Sequence, residues 1–352
     1  MSVAIIGTGW GTRVQVPAFR SAGLQIVGLA ARDEQKTAQQ AQEFSIPFHT
    51  TDWRDLIRRS DVQWVSIVTP PSTHNEIAIA ALEAGKHVLC EKPMALHAGE
   101  TTDMVTVAQR RDDQFALIDH ELRFLPSLQL AQRRIHSGEL GALRHVEVTV
   151  IGSSRADPRR AWNWWSDAKQ GGGLLGAIGS HQIDTLQFLF GPVAAVSAVL
   201  NTFVTQRPSS DEPRAVTADD YASLLLRFGQ GGLGTVTMSV VAGHNQPNRL
   251  TAHFEDGALR WEAGRLHVAR RGDQWSDITP ADTVNIPDGL RAGGEFHTGS
   301  VYLGHAIKAA LVGDNSALLP AATFADGDRI QHVLDAARSS HSNGGGWVST
   351  QG

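Results

Sequence analysis

A single cysteine among 352 residues rules out any disulfide within the chain. That residue, Cys90, closes the apolar run His87-Val88-Leu89-Cys90 and reads as a buried thiol in a reducing, cytoplasmic setting. No apolar run reaches the length that spans a bilayer, so no membrane association is expected. Positive charge is not in surplus: the formal net charge is −5, and Arg133-Arg134 and Arg159-Arg160 read as solvated faces rather than a nucleic-acid footprint. The 15 histidines include no His-Glu-x-x-His spacing and have no second cysteine to join, so no metal site is expected. A Gly-x-Ser-x-Gly elbow is missing, which removes the serine-nucleophile reading. Internal repeats and low-complexity segments are missing as well.

What is present divides into two halves, as the length alone predicts. Short β-branched runs at 3–6, 25–30, 64–68, 87–90 and 115–118 alternate with helical stretches at 14–22, 33–43, 52–58, 73–84 and 98–110. That alternation predicts a doubly wound α/β domain over 1–121, a parallel sheet with helices on both faces. The first run begins at residue 3, which leaves no room before it for a leader, and an unprocessed cytoplasmic chain is expected. After a helix near 125–136 the pattern changes to alternating segments at 143–151, 193–204, 220–228, 232–241, 249–255 and 258–262. Period-two alternation predicts an α+β domain over 122–352 with a large, open, mainly antiparallel sheet. Loops are expected at 206–217 and 272–294, and closing helices at 296–312 and 324–341, free to pack back onto the first domain.

Directly after the first run comes Gly7-Thr8-Gly9-Trp10-Gly11-Thr12. Glycines there let the backbone turn sharply and approach a pyrophosphate over the N-terminus of the next helix. A strict G-x-G-x-x-G spacing wants its third glycine at Thr12, and here it arrives one residue early. A ligand-free strand-to-helix turn is the competing reading, and the order strand, loop, helix favours a dinucleotide. At the end of the second strand an acidic residue would select NAD and an arginine NADP. The segment reads Ala30-Ala31-Arg32-Asp33; with Ala31 at the acidic position, Arg32 is left to stack on adenine and pair a 2′-phosphate, which favours NADP. Asp33 is either a helix N-cap or the ribose carboxylate.

Two segments, 65–74 ending Val68-Thr69-Pro70-Pro71-Ser72-Thr73-His74, and 84–93 ending Cys90-Glu91-Lys92-Pro93, resemble the Gfo/Idh/MocA oxidoreductases, with Glu-Lys-Pro as the most specific mark. Gly171-Gly172-Gly173, Gly179-Ser180-His181, Asp184 and Asp335-Ala336-Ala337 extend the resemblance over nearly the whole chain. It implies a Rossmann domain joined to an open-faced sheet that serves oligomerisation, here a homodimer or homotetramer. It also implies hydride transfer between NAD(P) and a carbinol carbon of a sugar or cyclitol. By the same resemblance Thr69, Pro70, Pro71 and His74 flank the nicotinamide and its ribose, Glu91 lies beside them, and Lys92 contacts both cofactor and substrate hydroxyl.

The chemistry of these residues can be argued without the family. Oxidising a secondary alcohol needs a group to take the hydroxyl proton and a donor to hold the developing alkoxide, and Lys92 and His181 supply both. Pro93 cannot continue a hydrogen-bond ladder, so Lys92 is expected at the carboxyl edge of the sheet, where open α/β sheets bind ligands. A solvated strand-end lysine is the plainer alternative. The related motif places an aspartate ahead of the histidine, and here that position is Ala177. Helical spacing puts 177, 181 and 184 on one face, leaving Asp184 as a surrogate orienting partner for His181. Altered proton relay follows, or else a nucleotide-binding sensor without turnover, or an enzyme that uses transient cofactor oxidation for elimination or glycoside cleavage. His120, Arg123, Trp162 and Trp165 are further candidates for the substrate pocket. Aromatic faces platform sugar rings and arginine clamps anions, though packing explains the tryptophans equally well.

Overall fold

The computed structural model describes residues 1–350, which fall into two compact units. The first comprises Met1–Ala95, Gly99–Leu125 and Asp282–Asp328; the second comprises Leu96–Ala98, Pro126–Ala281 and the chain from Arg329 onward. The chain therefore passes between units more than once, and residues 282–328, far along the sequence, belong to the first.

In the first unit the sheet runs in the order His49–Thr50, Gln25–Ala30, Ser2–Ile6, Trp64–Ile67, His87–Cys90, Ala116–Ile118, Ala322–Thr323. All pairings are parallel except the last, where Ala322 lies antiparallel to Ile118. Val3, Ile5, Val65, Ile67, Val88 and Leu89 are entirely buried, as expected of strands covered on both faces. The order reverses direction beside Ser2–Ile6, which makes the carboxyl ends of that strand and Trp64–Ile67 the switch point where such sheets bind ligands. The two-residue strands at 49–50 and 322–323 carry too few residues to show a period, and the sequence pattern does not reveal them. Cys90 is fully buried, and burial, followed by the charges of Glu91 and Asp119, pushes its thiol up.

Helix Glu295–Leu311 joins this unit because glycine lets it come close. A Cβ at Gly304 would sit 3.1 Å from the Phe19 ring, and one at Gly299 would press on the Glu121 carbonyl at 2.7 Å.

The second unit holds a nine-stranded sheet in the order Ser276–Asp277, Arg265–Arg270, Gly257–Glu262, Arg249–Phe254, Leu143–Ile151, Leu233–Ser239, Tyr221–Phe228, Val193–Asn201, Val348–Ser349. It is mixed rather than purely antiparallel: Leu143–Ile151 and Leu233–Ser239 run parallel, and the long connection between them contains helix Ser180–Phe190. Alternate residues Ala222, Leu224, Leu226 and Phe228 are buried together with Ile183, Leu186 and Leu189 of that helix. The Phe190 ring lies 5.7 Å from Phe228 and 6.2 Å from Phe254. The other face exposes Val199, Leu225 and Leu233. Within the expected loop at 206–217, Gln206–Arg207 and Arg214–Ala215 pair as a small separate ribbon. No helix of the described residues is long and apolar enough to cross a membrane.

Candidate active site

At the switch point the turn after Ser2–Ile6 is shaped by glycine. Gly7 has φ +117°, and a Cβ on it would run into the Val68 carbonyl of the neighbouring strand end. Gly11 supplies the close helix-to-strand approach, since a Cβ there would lie 2.8 Å from the Ile5 side chain. The third glycine is thus in use one position earlier than the strict spacing has it. Between them a Cβ on Gly9 would meet nothing within 4 Å. The helical run that begins at Gly11 has no side-chain cap from Trp10 and no acidic residue in its first turn. Room above the turn and uncapped backbone N–H groups fit a pyrophosphate. Thr12 is fully buried and its hydroxyl donates to Gln40 Oε1 at 3.1 Å, into the unit rather than over the turn. The Trp10 ring meets His297 edge-on at 5.0 Å, a neighbour from a distant helix that the sequence did not single out.

At the end of Gln25–Ala30, Ala31 is half-buried and Arg32 exposed. Asp33 is the N-cap of Glu34–Glu43, its carboxylate accepting from the Lys36 N–H at 3.0 Å.

The strand ends line up in register. Val68 N–H donates to Ile6, Glu91 N–H to Ile67, and Asp119 N–H to Cys90, at 2.7, 2.9 and 2.8 Å. Each step places the next residue at the carboxyl edge. Thr69 and Pro70 are half-buried there, Pro71 is buried, and the Thr73 hydroxyl donates to the Pro70 carbonyl at 2.9 Å. His74 lies beneath this turn with no solvent exposure, its Nδ1 3.1 Å from the Pro93 carbonyl and its Nε2 2.8 Å from the Thr69 carbonyl. Burial lowers its pKa against the pull of those carbonyls, which favours the neutral ring, and a neutral ring has one N–H, which donates to one of the two carbonyls.

Lys92 is half-buried, and three carboxyls feel its charge: the half-buried Glu91 and the buried Asp119 and Glu121. Gln15 Nε2 donates to Asp119 Oδ2 at 2.8 Å and to Glu91 Oε1 at 3.3 Å, while its own Oε1 accepts from the Ser66 hydroxyl at 2.6 Å. Burial pushes Asp119 up to about 6, with Gln15 and Lys92 opposing. Burial, and then the charge of Asp119, holds Glu91 well above the usual carboxylate range. Glu121 is held up in the same way by burial, then Asp119 and Glu91. Each carboxylate charge in this cluster raises the cost of ionising the next, so the three resist ionising together. His120 is 2% exposed in the same segment, and Arg123 pairs with Asp326 at 3.5 Å. Sequence reasoning named His120 and Arg123 but passed over Asp119, Glu121, Gln15 and Ser66. Two acids directly after the sixth parallel strand were the available signal for the first two.

In the second unit His181 and Asp184 are 2% and 1% exposed on Ser180–Phe190. The turn before it, Leu175–Gly179, is a π-helix, so Ala177 precedes His181 across a widened turn rather than at plain α spacing. The Leu175 N–H donates to Asp219 Oδ2 at 2.6 Å, which anchors the start of that turn. A Cβ on Gly172 would strike the Trp165 carbonyl, so the tryptophan loop rests against the approach to the His181 helix. Trp162 Nε1 donates to the Ala215 carbonyl at 3.1 Å, and the guanidiniums of Arg214 and Arg155 lie 3.6 Å from the rings of Trp162 and Trp165. Among the described residues no group of three or more His, Cys, Asp or Glu is arranged to hold a metal.

An open parallel sheet, a glycine turn with room for pyrophosphate at its switch point, and a lysine in the field of three carboxyls define a dinucleotide-dependent oxidoreductase. Residues 1–118 match the oxidoreductase family with an NAD-binding Rossmann fold, and 128–260 match the GFO/IDH/MocA C-terminal domain. The chain belongs to the Gfo/Idh/MocA family of NAD(P)-dependent oxidoreductases, which act on hydroxylated carbons. It is 30% identical over 371 residues to glucose-fructose oxidoreductase domain-containing protein 2 of Homo sapiens, covering 99% of this chain and 93% of the relative. To levoglucosan dehydrogenase of Pseudarthrobacter phenanthrenivorans it is 32% identical over 266 residues, 70% and 68% of the two chains. A solved levoglucosan dehydrogenase in complex with NADH and levoglucosan superposes with TM-score 0.88 at 26% identity, covering 100% of both chains.

Proposed function

We propose that this chain transfers a hydride between NADP(H) or NAD(H) and a secondary alcohol carbon of a small polyhydroxylated molecule of the sugar or cyclitol type. The observation that carries the reading is the half-buried Lys92 in the field of Glu91, Asp119 and Glu121 at the carboxyl edge of the sheet. When bound, the nicotinamide accepts or supplies the hydride. The chain's own residues handle the proton: as the Lys92 ammonium passes a proton to a carboxylate behind it, its amine takes one from the substrate hydroxyl, and the reverse transfer returns it. Gln15 fixes the orientation of Asp119 and Glu91, and His74 donates its one N–H to the Thr69 or the Pro93 carbonyl. His181 shares the acid–base work, with Asp184 as its orienting partner in place of the aspartate that Ala177 lacks. Arg32, exposed beside an Asp33 engaged as a cap, favours NADP over NAD. NADH in the solved levoglucosan dehydrogenase makes both nucleotides necessary probes. The exposed Val199, Leu225 and Leu233 support assembly of a dimer or tetramer through the large sheet.

The test is a titration of the purified chain with NADPH and NADH, read by energy transfer from tryptophan to the nicotinamide, followed by turnover on a panel of sugars and cyclitols. Saturable binding with substrate-dependent absorbance change supports the reading. Binding with no turnover on any alcohol supports a sensor instead, and no binding of either nucleotide removes the oxidoreductase reading for this chain.

A further inference from the structure

The segment 152–160 of the second unit and the ribbon facing it concentrate arginines; Arg214 is exposed to solvent over the Trp162 ring, and the acceptors of the others can be accounted for, with one exception. Arg159 is held by the Asp157 carboxylate, Nε to Oδ1 at 3.0 Å and Nη2 to Oδ2 at 3.1 Å. Arg160 Nη1 donates to the Ser154 carbonyl at 3.0 Å. Arg207, 3% exposed, donates to the carbonyls of Asp157 and Arg155 at 2.9 and 2.7 Å. Asp220, which with Asp157 acts on the Arg207 charge, accepts from the N–H groups of Phe203 and Val204 at 2.8 and 2.9 Å.

Arg155 is the exception. Its guanidinium lies 3.6 Å from the centre of the Trp165 ring, and its Nη1, shielded from solvent, meets no acceptor among the described residues. No carboxylate pairs with it among the described residues. Burial, and then the positive charges of Arg160 and Arg207, push its pKa down to about 10. The residue is half-buried, and a charged N–H shielded from water without an acceptor is an arrangement folds rarely keep unless a bound group or water completes it. A guanidinium stacked over an indole leaves its N–H groups to donate in its own plane, and that fork matches the paired oxygens of a carboxylate or phosphate.

We propose that Arg155, backed by Trp165 and by the fixed charges of Arg160 and Arg207, binds an oxyanion substituent, so that the substrate is an acidic polyol: a sugar acid or a sugar phosphate. The identification as a substrate subsite rests on the oxidoreductase reading above; the anion site itself does not. It belongs to the same unit as His181, on the loop that Gly172 supports ahead of the His181 helix.

The experiment is calorimetric titration of the full chain, at low ionic strength, with glucuronate, glucose 6-phosphate and neutral glucose. At least one acidic probe should bind tenfold or more tighter than glucose, and the advantage should shrink as salt is added. Preference for glucuronate identifies a carboxylate, and preference for glucose 6-phosphate a phosphate. In R155M the advantage should disappear while NADPH or NADH binding persists, and R155K should retain part of it. Equal binding of acidic and neutral probes by the unaltered protein overturns the proposal, as does undiminished acidic binding in folded R155M. Anion binding without nucleotide binding would remove the oxidoreductase reading and keep the anion site. Nucleotide binding without the acidic preference would do the reverse.

Discussion

Replacing Asp119 with asparagine should stabilise the protein increasingly as pH rises. Asparagine keeps an oxygen that accepts from Gln15 Nε2, now at 2.8 Å, and removes the charge. The folded-state pKa of Asp119 is raised from 3.8 to about 6, so its contribution to stability is complete below the unfolded value and lost as pH climbs through the folded one. At about 1.36 kcal/mol per unit, ionising this carboxyl in the fold costs roughly 1 kcal/mol by about pH 4.5 and roughly 3 kcal/mol by about pH 8. D119N escapes that loss, so its advantage over the unaltered protein should widen by about 2 kcal/mol across the interval. Removing the Asp119 charge also relieves Glu91 and Glu121, both of which it pushes up, and this acts in the same direction. Urea unfolding followed by circular dichroism at several pH values measures the gap. A gap that does not change with pH, or a D119N protein less stable at pH 8, would refute the argument from buried charge. The same variant should turn over more slowly, because Lys92 loses a carboxylate partner.

K92M keeps the aliphatic stem and removes the ammonium; turnover should fall at least about a hundredfold with nucleotide affinity retained, and unchanged kcat would remove Lys92 from the reaction. R32A should weaken NADPH binding about tenfold or more and NADH binding much less, measured by the same energy-transfer titration; equal losses would mean that Arg32 does not read the 2′-phosphate. G7A should destabilise the first unit by at least about 1–3 kcal/mol and abolish nucleotide binding, because the new Cβ meets the Val68 carbonyl at a φ of +117°. Wild-type melting and binding in G7A would mean that the turn tolerates what its geometry forbids.

The parallel strands at 25–30 and 87–90, the Asp33 cap and the glycine turn were legible because each is local: a period, a capping side chain or a φ requirement lies within a few residues. Lys92 and His181 were legible through motif and resemblance. Gln15 was not, because nothing near it in sequence says that its amide bridges Asp119 and Glu91, 104 and 76 residues away. Asp119 and Glu121 stood beside named candidates, but a carboxyl in sequence gives no sign of burial, and burial is what raises their pKa values. The mixed character of the large sheet was hidden for a related reason: alternation marks a strand and its buried face, not the direction of its neighbour.

By itself the sequence determined the doubly wound first domain, the sheet-rich second one, and the turn that suits a dinucleotide, since hydrophobic period and glycine conformation act at short range. Only the tertiary structure decided that 282–328 joins the first unit, that three carboxyls share the field of Lys92, and that the Arg155 guanidinium rests on Trp165 with an N–H shielded from water and without an acceptor. Those outcomes depend on desolvation and on charges brought together from distant segments, and neither exists until the chain is folded.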